Sequence, residues 1–196
     1  MEQDKTKKDM MVIKDFRKKD AILMMYDIVG FTSYCDYHEK RGNEERVYSL
    51  LNGVTKGCNE IIRDFGGKPH TFTGDGYISS FYENNNTSER AIDAALHIQA
   101  IAQEVRNNFG GRNPKLKVAL YKGPTLFGLL DSSLRPFGRA PCKLSRIESL
   151  AKPGEILTSG SVINPIIDLY NVKELGGAYL KGILEQKMVY KILNKK

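Results

Sequence analysis

The stretch that most constrains this chain is an apolar run, Ala21-Ile22-Leu23-Met24-Met25-Tyr26, that ends on Asp27-Ile28-Val29-Gly30-Phe31-Thr32. So short a run, closed by a carboxylate and a glycine, reads as a buried strand rather than a helix. A carboxylate at the end of a buried strand can hold a metal ion. The glycine after it lets backbone N–H groups come close to a phosphate. A second place of this kind is Gly74-Asp75-Gly76, between two more strand-like runs. Asp-Gly is also the commonest hairpin-turn dipeptide, so either motif alone reads equally well as a turn. Taken together with the motifs that follow in the chain, they lead to the expectation that Asp27 and Asp75 share a pair of divalent ions, against which the rest of the chain positions a nucleoside triphosphate.

Composition narrows the alternatives. A chain of 196 residues with 41% apolar residues can build one domain with a substantial core. No apolar run approaches the roughly 20 residues that span a bilayer, and the charged N-terminus has no apolar segment of the signal-peptide kind. Cys35, Cys58 and Cys142, odd in number and widely spaced, argue for reduced thiols in a cytoplasmic protein. The net charge of +7 is concentrated at the ends, at Lys5, Lys7, Lys8, Lys14, Arg17, Lys18, Lys19, Lys195 and Lys196. Such runs are solvated tails, and no aromatic-laced basic patch argues for nucleic acid.

Periodicity orders the elements. Residues 1–18 read as a basic arm and residues 19–196 as one domain. Strand one spans about 21–27. A helix opening at Arg41-Gly42-Asn43 and running to Phe65 carries a stripe of Val47, Leu50, Leu51, Val54, Cys58, Ile61 and Ile62. Strands at 68–74 and 76–82 form a hairpin, and a helix follows over about 88–109. Segments 117–120 and 125–130 read as a hairpin turned at Gly123-Pro124, followed by a loop over 131–138. A helix containing 143–150, a strand at 156–158, a short helix near 160–168 and strands at 171–176 and 186–193 complete the chain. The fold class is α+β, with helices on a mostly antiparallel sheet.

Four motifs in register, Asp27 to Thr32, Gly74-Asp75-Gly76, Arg146 to Ile156 and Leu180-Lys181-Gly182, resemble the class III nucleotidyl cyclases, the adenylate/guanylate cyclase catalytic domain. The resemblance covers about residues 20–193. It implies a ferredoxin-like βαββαβ sandwich with extra C-terminal strands, in an antiparallel homodimer with active sites at the interface. It also implies two divalent metal ions, Mg²⁺ or Mn²⁺, held by Asp27, Ile28 and Asp75. Ile28, Val29, Gly30, Phe31, Thr32 and Lys181 would bind the triphosphate. Arg146 would stabilise the transition state from the opposite subunit. The chemistry suits these residue types: charge growing on phosphoryl oxygens favours a planar, always-charged donor.

The base and ribose positions depart from the family pattern. Adenylate cyclases carry lysine and guanylate cyclases glutamate where this chain has Thr71. Aspartate or cysteine is replaced by Arg135, and asparagine by Cys142. Thr71, Thr73 and Arg135 offer donors and acceptors suited to base carbonyls, which points to UTP or CTP and to the bacterial pyrimidine cyclases of anti-phage signalling. The alternatives are an adenylate or guanylate cyclase with an unusual base pocket, or a catalytically silent nucleotide-binding or dimerisation homologue. Individually, Thr71 and Thr73 also read as ordinary strand residues, Arg135 as a solvated arginine and Cys142 as a packed helix residue. His70 and His97 read as structural or exposed, and Tyr48 and Tyr77 as packing residues.

Overall fold

The computed structural model describes residues 16–82, 86–104, 115–130, 132–178 and 187–196. The opening apolar run is the middle of strand β1 (Phe16–Ile28). Along it, Ile22, Met24, Tyr26 and Ile28 enter one core while Ala21 and Leu23 enter another on the opposite face. A strand covered on both faces needs apolar side chains on both, so the run shows no polar alternation.

After β1 come α1 (Phe31–Glu39), α2 (Glu44–Asp64), β2 (Lys68–Phe72), β3 (Gly76–Tyr82) and α3 (Thr87–Glu104). Then follow β4 (Leu116–Leu130), β5 (Ser133–Phe137), α4 (Arg139–Leu150), β6 (Ile156–Ser159) and α5 (Gly160–Ile163). A 3₁₀ segment (Asn164–Leu169), β7 (Tyr170–Ala178) and β8 (Lys187–Lys195) end the described chain. The strands lie in the order β2-β3-β1-β4-β6-β8-β7, with β5 added to β4. All pairings are antiparallel except β4 with β6. Helices α2 and α3 cover the first face of β1 through Leu50, Val54, Cys58, Ile62, Ile92, Ala95 and Ile98. Helix α4 covers the second through Ala140, Leu144 and Ile147.

Several expectations are corrected. The basic arm does not extend to residue 18, because Phe16, Arg17 and Lys18 already pair with Gly128, Phe127 and Leu126; residues 1–15 lie outside the described residues. Segments 117–120 and 125–130 are one continuous strand, not a hairpin. The register with β1 runs unbroken through Gly123 and Pro124. Proline is tolerated there because the far side of β4 is bare between its ladder to β6, ending at Leu120, and its ladder to β5, starting at Leu126. The expected loop over 131–138 contains β5. Helix α1 was not foreseen: only Phe31 and Tyr34 pack against the core, and the intervening residues are polar. The end of the expected 88–109 helix, from residue 105, lies outside the described residues. The thiols of Cys35, Cys58 and Cys142 are free.

Candidate active site

The last turn of β1 places Asp27 between two neighbours, opposite Gly76 on β3 and opposite Lys117 on β4. Three backbone hydrogen bonds fix the surrounding loops. Ile28 N–H donates to the Asp75 carbonyl at 3.2 Å, Val29 N–H to the Lys115 carbonyl at 2.9 Å, and Thr73 N–H to the Gly76 carbonyl at 3.0 Å. The last closes the turn that presents Asp75. Gly76 is the residue that permits this approach: a Cβ built there would lie 1.8 Å from the carbonyl oxygen of Tyr26. Gly74, with φ of 110°, supplies the left-handed backbone the turn requires.

The two carboxylates predicted from sequence therefore meet. The Asp27 carboxyl is within hydrogen-bonding reach of Asp75, and burial first, then Asp75, then Glu148, push it well above the usual carboxylate range. Lys117 pulls in the other direction. Its Nζ lies 3.6 Å from Glu148 Oε1, both side chains being largely buried. Among the described residues no three His, Cys, Asp or Glu side chains form a ready-made metal cage. A two-carboxylate site whose proton affinity is raised by mutual repulsion still fits a divalent cation, because the cation relieves the repulsion that a proton otherwise relieves.

Gly30 has φ of 76° and precedes α1, whose N-terminus has no side-chain cap. The first-turn amides of Phe31, Thr32 and Ser33 are thus unclaimed by any capping side chain, beside the end of β1 that carries Asp27. Anions are favoured at such a helix start.

Arg146 and Cys142 sit one turn apart on the exposed side of α4, whose other side buries Leu144 and Ile147. Cys142 is therefore not a packed helix residue. Arg146 makes no ion pair among the described residues. Thr71 is half-buried on β2 opposite Ile78, just after a bulge at His70. Thr73 is exposed and belongs to the turn, not to a strand. Arg135 is half-buried on β5 opposite Gly128, with its Nε buried and lacking a hydrogen-bond partner. His70 ties these two strands together, its Nδ1 lying 3.0 Å from the Leu134 carbonyl and its Nε2 2.7 Å from Ser80 Oγ. Burial holds His70 below its ordinary pKa, so the neutral ring donates from Nδ1 and accepts at Nε2. Since His70 precedes Thr71 and Leu134 precedes Arg135, this bridge draws the two base-pocket candidates into one neighbourhood. Tyr77 stacks on Tyr26, Tyr48 is exposed, and His97 packs on Phe65. Lys181 lies outside the described residues.

Sequence reasoning missed Glu148 and Lys117. Glu148 stands two residues after Arg146 inside a quoted motif, but only the position of α4 aims it at Asp27. Lys117 becomes a neighbour of Asp27 through strand register alone.

A family model described as the adenylate and guanylate cyclase catalytic domain matches residues 14–194. The chain is 26% identical to human guanylyl cyclase C over 198 residues, covering 88% of this chain and 18% of that protein. It thus spans under a fifth of the length of that relative. Among solved structures, the adenylyl cyclase CyaB from P. aeruginosa superposes with a TM-score of 0.83 at 21% identity, covering 93% of this chain and 97% of that one. The guanylyl cyclase Cya2 superposes with a TM-score of 0.81 at 19% identity, covering 93% and 95%. These superpositions show a shared fold. The chain belongs to the adenylate and guanylate cyclase catalytic domain family. It is a nucleotidyl cyclase catalytic domain.

Proposed function

We propose that this domain converts a pyrimidine nucleoside triphosphate, UTP or CTP, to the 3′,5′-cyclic nucleotide and pyrophosphate, working as a homodimer. The observation that carries the reading is the facing pair Asp27 and Asp75 at the end of β1, with Arg146 turned outward on α4. Asp27 and Asp75, with the backbone of Ile28, would hold two divalent ions, Mg²⁺ or Mn²⁺. When bound, those ions supply a lowered pKa for the attacking ribose hydroxyl and neutralisation of the polyphosphate.

The chain's own groups supply the rest. Gly30, Phe31 and Thr32 offer backbone donors to phosphate oxygens, whereas the N–H groups of Ile28 and Val29 are already held by the Asp75 and Lys115 carbonyls; Lys181 is assigned to the same task by family resemblance. Arg146 of the partner subunit meets charge growing on the α-phosphate, a role in keeping with its lack of an ion pair among the described residues. Cys142, one turn earlier on the same exposed face, borders the ribose. Thr71, Thr73 and Arg135 face the base. The buried, unpartnered Nε of Arg135 suits a ring carbonyl, which uracil and cytosine display and adenine lacks. The cyclic product would serve as a second messenger, and anti-phage signalling is the setting that the resemblance to pyrimidine cyclases suggests.

Purified protein incubated with Mn²⁺ and all four ribonucleoside triphosphates together, with products read by mass spectrometry, tests the reading. A cyclic pyrimidine nucleotide is expected. A cyclic purine would overturn the assignment of Thr71 and Arg135, and no product at all would favour a silent nucleotide-binding module.

A further inference from the structure

The far end of β1 carries a feature that the carboxylate site does not use. Among the described residues, a cavity of about 450 Å³ opens at that end between Phe16, Arg17, Lys19, Tyr82, Phe127, Leu129 and Leu134. This volume lies in the range of small-molecule sites. The strand registers explain its composition. Arg17 lies opposite Phe127, and Tyr82 lies opposite Ala21, so these side chains share the face that α4 covers farther along. Tyr82 and Phe127 meet at 5.5 Å between ring centroids and form an aromatic wall. Phe16 and Leu129, 56% and 57% exposed, leave apolar surface at the mouth.

Arg17 and Lys19 stand two residues apart on one face, roughly 7 Å along the strand. Both are exposed, and neither forms an ion pair with a carboxylate among the described residues; Lys19 lies over the Tyr82 ring at 5.3 Å. Two like charges beside an apolar, aromatic hollow repel one another until an anion lies between them. Arginine also favours planar or bidentate recognition of phosphate and carboxylate. Lys19 and Asp27 are eight residues apart on β1, roughly 26 Å in an extended strand, so the cavity is separate from the carboxylate pair.

We propose that this cavity is a second binding site, for a small aromatic anion: a flat ring seated on Tyr82 and Phe127, carrying a phosphate, sulfonate or carboxylate held by Arg17 and Lys19. Its wall touches the machinery of the first site. The carbonyl of Leu134 is held by His70, and the chain neighbours of these residues are Arg135 and Thr71. An occupant pressing on Leu134 therefore bears on the proposed base pocket, which makes the cavity suited to a regulatory ligand.

The fluorescent aromatic sulfonate 8-anilino-1-naphthalenesulfonate serves as the probe on the full chain, with uridine monophosphate and benzoate as separate competitors. Saturable binding is expected, weakened by about tenfold or more in the Arg17→Ala/Lys19→Ala double variant and unchanged in Asp27→Ala. Displacement by one competitor identifies the source, a nucleotide or an aromatic acid. The proposal is overturned if the wild type shows no saturable binding, if the double variant binds equally well, or if neither competitor displaces the dye. The double variant should retain the wild-type response to Mn²⁺, which separates loss of this cavity from loss of the carboxylate site.

Discussion

Gly76→Ala attacks the joint on which the carboxylate pair depends. The added methyl would stand 1.8 Å from the Tyr26 carbonyl oxygen and 3.1 Å from the Asp27 Cα, both backbone atoms of the central strand. Contacts of a Cβ below 3.0 Å are essentially unknown, so the strands must separate by more than about 1 Å. No flexible side chain is available to yield. Overpacking of this kind costs about 1–3 kcal/mol, and loosening the adjoining Ile28-to-Asp75 hydrogen bond adds about 1 kcal/mol. A loss of roughly 2–4 kcal/mol at about 2–4 °C per kcal/mol lowers the melting temperature by roughly 4–16 °C. The same displacement carries Asp75 away from Asp27, so the stabilisation that saturating Mn²⁺ gives the wild type should vanish. Gly74→Ala is the comparison: no atom lies within 4 Å of its added Cβ, and its cost is backbone strain alone at φ of 110°, about 1–2 kcal/mol. Differential scanning fluorimetry with and without Mn²⁺ reads both variants. A Gly76→Ala protein that melts within about 2 °C of wild type and keeps its full Mn²⁺ response would refute the reasoning.

Two further predictions concern charge at the site. Asp27 titrates at about 7 in the folded chain against 3.8 for a free aspartate, so its ionisation opposes folding. Its contribution is unperturbed below about pH 4 and becomes progressively destabilising as pH rises to about 7, beyond which the loss is complete. In metal-free protein the melting-temperature advantage of Asp27→Asn over wild type should therefore grow between pH 4 and pH 7 and then level off; an advantage independent of pH would contradict it. Glu148→Gln removes a negative charge beside Asp27 and frees Lys117 from its ion pair. Mn²⁺ affinity, measured by electron paramagnetic resonance of the free ion, should fall by about tenfold, and an unchanged affinity would remove Glu148 from the site.

Much of this arrangement was legible in the sequence. The run from Ala21 to Tyr26 announced a buried strand, and the stripe from Val47 to Ile62 announced α2, because burial writes itself into apolar spacing. Asp27 and Asp75 were legible because each stands at the end of a strand-like run with glycine nearby, and both recur in register with the later motifs. What escaped was whatever depends on register or on tertiary cover. Gly123-Pro124 carries a strong local turn signal, which the long ladder to β1 overrides. Helix α1 has few apolar residues because only one side of it touches the core. Lys117 and Glu148 carry no local signal, since opposing strands and the position of α4 bring them to Asp27. Arg135 was placed by motif alignment, but the His70 bridge that draws its strand toward Thr71 could not be read from either segment.

The central claim is that Asp27 and Arg146 serve one reaction from two copies of the chain, and subunit mixing tests it most directly. Asp27→Ala and Arg146→Ala proteins, each inactive alone, would be mixed at equal concentration and assayed for cyclic nucleotide by mass spectrometry. Exchange of subunits builds heterodimers in which one composite site has both residues intact, so activity should return well above that of either variant alone. If the mixture stays as inactive as its components while native mass spectrometry shows that heterodimers have formed, the shared-site account is wrong.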